Sequence, residues 1–75
     1  MTTNAPIPSR HARLAGFLQQ DPDNPVLLAE ASQAALQEGL FADAERHIDA
    51  GMRLEGRTQA WRFRLANLRI AERRL

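Results

Sequence analysis

The chain has 75 residues, is 44% hydrophobic and 25% charged, and carries a net charge of +1. This composition excludes a disordered chain, and the length allows one small folded domain. The absence of cysteine excludes disulfides and thiolate metal sites. The N-terminus has no apolar run behind basic residues, and no segment approaches the roughly 18 apolar residues of a membrane span. We therefore expect a cytoplasmic protein with no membrane association.

The N-terminal part of the chain predicts a flexible lead-in followed by one helix. Residues 1–8 contain two prolines and no hydrophobic periodicity, which is typical of a flexible segment. Ser9 is a good N-cap, and the spacing predicts a first helix over residues 9–19. Its apolar face is expected to carry Leu14, Phe17 and Leu18. Gly16 inside this helix costs about 1 kcal/mol relative to alanine.

A strong helix start follows at residues 21–25, with the sequence DPDNP. Asn24 is a good N-cap, and Pro25 at the first helical position loses no needed hydrogen bond. We predict a second helix over residues 25–38, ended by Gly39. One narrow face of small and apolar residues is expected to be core: Leu28, Ala31, Ser32 and Ala35.

The third helix is predicted over residues 41–54, with one apolar side formed by Phe41, Ala44, Ile48, Gly51 and Met52. The connection to the second helix is so short that the two must run antiparallel as a hairpin. Glycine is unfavourable in the middle of a helix, so Gly51 indicates a close helix crossing.

Gly56 ends the third helix, and Thr58 can cap a fourth helix over residues 58–74. This helix has two opposite apolar faces. One face carries Trp61, Leu65, Leu68 and Leu75, and the other carries Phe63, Ala66 and Ile70. A helix of this kind needs a partner on both sides, and the preceding hairpin can supply only one of them. Arginines at positions 62, 69 and 73 lie between the two faces.

These patterns predict an all-α protein of about four antiparallel helices in one domain over residues 9–75. The order of residue types resembles a tetratricopeptide repeat, in which a glycine turn joins two helices with small residues at their crossing. The matching positions are Leu28, Ala31, Ser32, Ala35, Gly39, Phe41, Ala44, Ile48, Gly51 and Leu54. A second repeat would start at Trp61, 33 residues after Leu28, close to the usual period of about 34. Gly56 replaces the family's closing proline, and Glu72 stands where the second turn glycine would fall.

The resemblance implies a right-handed stack of hairpins and a non-enzymatic scaffold or adaptor that binds a protein or peptide. Family members bind partners on the concave surface lined by the first helix of each repeat. In this chain that surface would carry Val26, Ala29, Glu30, Gln33, Leu36, Gln37, Arg62, Phe63, Ala66, Arg69 and Ile70. Arginines beside exposed apolar residues would suit an acidic or C-terminal segment, because a guanidinium binds a carboxylate bidentately.

Other readings remain open at this point. The fold could be a generic helical bundle that dimerises, and a homodimer is expected because the fourth helix has an uncovered apolar face. Arg62, Arg69 and Arg73 could also follow a nucleic-acid backbone with Trp61 or Phe63 stacking on bases, although the acidic residues 21–56 disfavour this. His11 and His47 are distant in sequence and are expected to be exposed or capping rather than metal ligands. No catalytic, cofactor or metal site is predicted.

Overall fold

The structure is a computed structural model that describes residues 7–74. It contains four α-helices: α1 (Arg10–Gln20), α2 (Pro25–Gln37), α3 (Phe41–Glu55) and α4 (Gln59–Arg73). The prediction of an all-α fold is confirmed, and no strand occurs in the described residues. The predicted helix limits differ from these by at most one residue at each end. The lead-in predicted over residues 1–8 lies outside the described residues except at positions 7 and 8, and so does Leu75.

Three of the four helices begin with a side-chain cap. The hydroxyls of Ser9 and Thr58 each accept one backbone N–H in the first turn of α1 and α4. The Oδ1 atom of Asn24 accepts two N–H groups at the start of α2, at 3.0 and 3.2 Å, and Pro25 follows it. These side chains satisfy donors that a helix start cannot pair internally, which is why the helices begin there.

The tightest pairing joins α2 and α3 through the turn at Gly39. This residue has φ 75°, a left-handed conformation that glycine adopts at little cost. The N–H of Leu40 then donates to the carbonyl of Ala35 at 2.8 Å and closes the end of α2. The reversal makes the helices antiparallel, and their small faces form the core: Leu28, Ala31, Ser32, Ala34, Ala35, Ala44 and Ile48.

The fourth helix crosses α3 at Gly51. The ring of Trp61, only 1% exposed, lies where a Cβ atom at position 51 would project. Leu68 completes the buried face of α4 two turns later. Gly51 therefore marks the close helix crossing that its position predicted, and its partner is the tryptophan.

The orientation of α1 differs from the prediction. The buried residues are His11, Leu14 and Leu18, whereas Phe17 is 58% exposed. Spacings of three and four residues place the buried three on one stripe, and Phe17 lies about a quarter turn away from it. Because the backbone of α1 approaches only that of α2, the stripe of α1 that becomes buried is narrow.

The four helices form an open stack rather than a closed bundle. Within residues 7–74, α1 packs on α2, α2 packs on α3 and α4, and α3 packs on α4, while α1 and α4 do not touch. The Cα atoms extend over 50 × 32 × 14 Å. Two helix layers with axes about 8–10 Å apart and Cα radii of about 2.3 Å have this thickness. The arrangement is compatible with stacked helical hairpins.

Candidate protein-binding surface

The predicted surface residues of α2 lie along its border with α4. Val26, 64% exposed, and Glu30 line an open groove of about 360 Å³ between the two helices. Gln33 and Leu36 line a much smaller cavity of about 10 Å³ further along the same border. Gln37 is exposed at the last turn of α2. The α2 part of the predicted surface is therefore continuous, and it faces the α4 side of the molecule.

On α4, the predicted apolar residues point away from the protein. Phe63 is 66% exposed and Ile70 is 49% exposed, and Ala66 between them is also exposed. At about 100° per residue, these three positions lie opposite the buried Trp61 and Leu68. We call Phe63, Ala66 and Ile70 the outer stripe of α4. In the described part of the chain it is an apolar surface that no other helix covers.

The two predicted arginines lie on the side of α4 that faces α3. The guanidinium of Arg69 donates to both carboxylate oxygens of Glu45, at 3.3 and 3.1 Å, and to Glu72 at 2.9 Å. The hydrogen bonds that Arg69 donates, to Glu45 first and then to Glu72, raise its pKa above the usual range. The bidentate grip expected for a partner's carboxylate is thus already made to Glu45. Arg62 has no carboxylate partner among residues 7–74.

The structure therefore places the eleven predicted residues on three surfaces rather than one. The α2 residues face the groove, whereas the outer stripe and Arg62 and Arg69 lie on other sides of α4. The α4 wall of the groove is formed instead by Ala60, Trp61 and Arg64. The helical periodicity of α4 explains these positions. When Trp61 packs against α3, residue 64 lies on the side of α4 that is nearest α2. Sequence reasoning placed Trp61 in the core and Arg62 and Arg69 on the binding surface, so it missed Ala60 and Arg64.

Trp61 and Arg64, which line the groove, already have partners within the protein. The Nε1–H of Trp61 donates to Glu55 at 2.6 Å. The guanidinium of Arg64 lies 4.7 Å from the centre of the Trp61 ring, a cation–π distance. Trp61 is buried, so of the two aromatic residues considered for stacking on bases only Phe63 is exposed. The side chains of the groove are consequently engaged in holding the helices together. The outer stripe, in contrast, exposes apolar side chains that no other helix of the described residues covers.

The two histidines contradict the expectation that both are exposed or capping. The ring of His11 is buried in α1, and its Nε2 atom lies 3.0 Å from the Nε2 atom of His47 on α3. Burial first, then the nearby positive charges of His11 and Arg46, lowers the pKa of His47. The backbone N–H of His11 also donates to the Glu38 carboxylate at 2.9 Å, and this bond lowers the pKa of Glu38. Residues that are 36 apart in sequence are joined here because α1 and α3 flank the same end of α2.

Searches with the whole chain give no family assignment. Neither a protein-family model, nor a curated protein, nor a solved structure matches it. Among the described residues, no helix is both long and apolar enough to cross a membrane. The same part of the chain holds no group of three or more histidine, cysteine, aspartate or glutamate side chains placed to bind a metal.

Proposed function

We propose that the protein is a non-enzymatic protein-interaction module of the tetratricopeptide type that binds an amphipathic partner helix on the outer stripe of α4. The observation that carries the proposal is the exposure of Phe63 and Ile70, 66% and 49%, on the face opposite the core. Contiguous exposed apolar residues on a helix typically mark an interaction site. Large aromatic side chains also dominate the energy of such interfaces. The open stack of hairpins supports the repeat reading over a closed bundle.

The charge around the outer stripe defines the partner. Residues 59–74 contain five arginines and one acidic residue, Glu72. Glu72 is engaged with Arg69, whereas Arg62 and Arg73 have no carboxylate partner among residues 7–74. A helix with apolar residues at helical spacing and acidic residues beside them would complement this surface. The partner is thus an acid-flanked amphipathic helix, and association should weaken as salt screens the charges.

A second copy of the chain is the second candidate occupant, because the same stripe could cover its own counterpart. Symmetric pairing of α4 would bring arginines towards arginines, which opposes a tight self-complex. We therefore propose that self-association occurs through the same stripe when no acidic partner is present. Salt separates the two cases, since screening favours the self-complex and disfavours the acidic partner.

A phage-displayed library of amphipathic helical peptides with randomised flanking charges tests the proposal. We expect binding to select acidic flanking residues, and we expect the double variant Phe63→Ser/Ile70→Ser to bind at least about tenfold more weakly. Val26→Ser is the matched control, because it also removes an exposed apolar side chain but on α2. Circular dichroism should show that all variants keep the native fold.

Three results would overturn this proposal. One is a selection that enriches no acidic flanking pattern over the starting library. Another is unfolding of the double variant, which would show that Phe63 and Ile70 belong to a core. The third is equal loss of binding in Val26→Ser, which would move the site to the α2–α4 groove.

A further inference from the structure

The contact between His11 and His47 requires a specific protonation state. Their Nε2 atoms are 3.0 Å apart, and the ring centroids are 5.2 Å apart with planes inclined at 49°. At this separation one Nε2–H donates and the other Nε2 must offer its lone pair. At least one imidazole is therefore neutral. If both rings were protonated, two N–H groups and two positive charges would face each other.

The histidine pair joins helices that are otherwise held apart. Within residues 7–74, α1 packs on α2 and makes no backbone approach to α3. His11 lies in the first turn of α1, where its backbone N–H is also held by Glu38 at the end of α2. Two polar contacts consequently fix the start of α1: one to His47 on α3, and one to Glu38 in the turn between α2 and α3. Leu14 and Leu18, each 8% exposed, follow on the same stripe.

We propose that the His11–His47 pair is an acid-sensitive latch: when both imidazoles are protonated, the contact breaks and α1 detaches from an otherwise intact α2–α3–α4 unit. The latch does not depend on what α4 binds. Its opening would expose Leu14 and Leu18 together with the α2 surface that they cover, and thereby create a new apolar surface under acidic conditions.

The charged groups around the pair favour this behaviour. Arg10 precedes His11 on α1, and Arg46 precedes His47 on α3, so both helices place a positive charge near the pair. Arg46 is itself paired with Asp43 on α3. Glu38, at the end of α2, is the carboxylate that contacts His11, through the backbone rather than the ring. In the described contacts, no carboxylate reaches either imidazole to stabilise a second proton.

The direction of the pH effect follows from His47. Its folded-state pKa is lowered from the ordinary 6.5, so the unfolded or detached state binds the proton more readily. The attachment of α1 is thus fully stabilised above pH 6.5. It is lost as the pH falls through the lowered pKa of His47 in the folded state. The pKa of Glu38 is lowered from 4.5, so its carboxylate stays charged in this window. Below pH 6.5, His47 is therefore the group whose protonation opposes the attachment of α1.

Hydrogen–deuterium exchange of the full chain, with intrinsic rates corrected for pH, tests the latch. From about pH 7.5 to about pH 5, spanning the ordinary histidine pKa, we expect exchange in α1 to accelerate at least tenfold while α3 stays protected. The variant His47→Gln should remove this dependence, because the introduced amide cannot titrate and its oxygen still accepts from a protonated His11. His11→Gln should do the same from the other side.

Controls separate the latch from other acid effects. Glu38→Gln weakens the backbone contact but leaves both imidazoles, so it should keep the pH dependence. If α1 protection is the same at both pH values, or if His47→Gln retains the full dependence, the latch is refuted. Uniform loss of protection in all four helices would also refute it, since that outcome is global acid unfolding. If His11→Gln fails to fold, the His47→Gln variant alone tests the latch, since His47 is only half-buried.

Discussion

At the scale of single residues, the crossing of α3 and α4 depends on the absence of a side chain at Gly51. Trp61 packs its ring directly on the backbone of Gly51, and the indole N–H is held by Glu55. Glycine in a helix is otherwise unfavourable by about 1 kcal/mol relative to alanine. The packing of a buried tryptophan outweighs that cost here, because a Cβ atom at position 51 would overlap three ring atoms.

Gly51→Ala should therefore destabilise the protein despite its better helix propensity. We expect a loss of about 1–3 kcal/mol in the free energy of unfolding, because overpacking must displace the Trp61 ring. Gly16→Ala is the matched control: it lies in α1 with no atom within 4 Å of an added Cβ. That variant should gain up to about 1 kcal/mol. Urea denaturation of both measures the difference, and equal effects would contradict the packing account.

Single-residue predictions from the sequence succeeded where the reason was local. The caps at Ser9, Asn24 and Thr58 depend on hydrogen bonds within one turn, and each lies at a helix start in the structure. The pairing of His11 with His47 could not be foreseen in this way. It depends on how α1 packs across α2, and periodicity carries no information about which residues meet between separate helices.

At the scale of elements, the start of α2 makes more side-chain hydrogen bonds than any other helix start among residues 7–74. Asn24 accepts two backbone N–H groups, and its own amide donates to Asp21 at 2.9 Å. Pro25 supplies the backbone angle of a first helical residue. This helix packs against all three others. Weakening the start of α2 should therefore lower the stability of the whole fold.

Asn24→Ala should lower the free energy of unfolding by about 0.5–2 kcal/mol, since alanine cannot accept the two N–H groups. Asp23→Ala is the control, as an exposed neighbour that makes no side-chain hydrogen bond among the described residues. Its effect should be within about 0.5 kcal/mol of zero. Thermal unfolding of the two variants provides the comparison. A similar stability for both would show that the proline alone defines the helix start.

The candidate site shows why element patterns predicted only part of the surface. The two apolar faces of α4 were visible in the sequence, and Trp61 is buried while Phe63 is exposed. The rotation of α4 about its axis is fixed by Gly51 and by the Glu45–Arg69 pair, and both are contacts between helices. Those contacts turn Arg62 and Arg69 towards α3 and bring Arg64 to the groove.

At the scale of the whole molecule, the open stack leaves a small domain with limited core. A chain of this size buries only about 60% of its unfolded surface even when compact. Here the buried aliphatic core is mostly alanine and leucine, with Trp61 as the one large aromatic side chain buried among residues 7–74. The exposed outer stripe of α4 is apolar surface that association can still bury. Covering it by association would raise stability through mass action.

We accordingly expect the isolated protein to form a dimer through the outer stripe, with an affinity that rises as salt increases. Apolar burial drives this association, whereas the arginines of the two α4 helices repel one another until salt screens them. Sedimentation velocity over a range of concentrations at low and high salt measures the effect. Phe63→Ser/Ile70→Ser should remain monomeric, while Val26→Ser should dimerise normally. A wild-type monomer at every concentration would rule out self-association and leave the acid-flanked helix as the proposed occupant. A dimer that instead weakens with salt would indicate pairing between the basic α4 of one copy and the acidic α3 of the other.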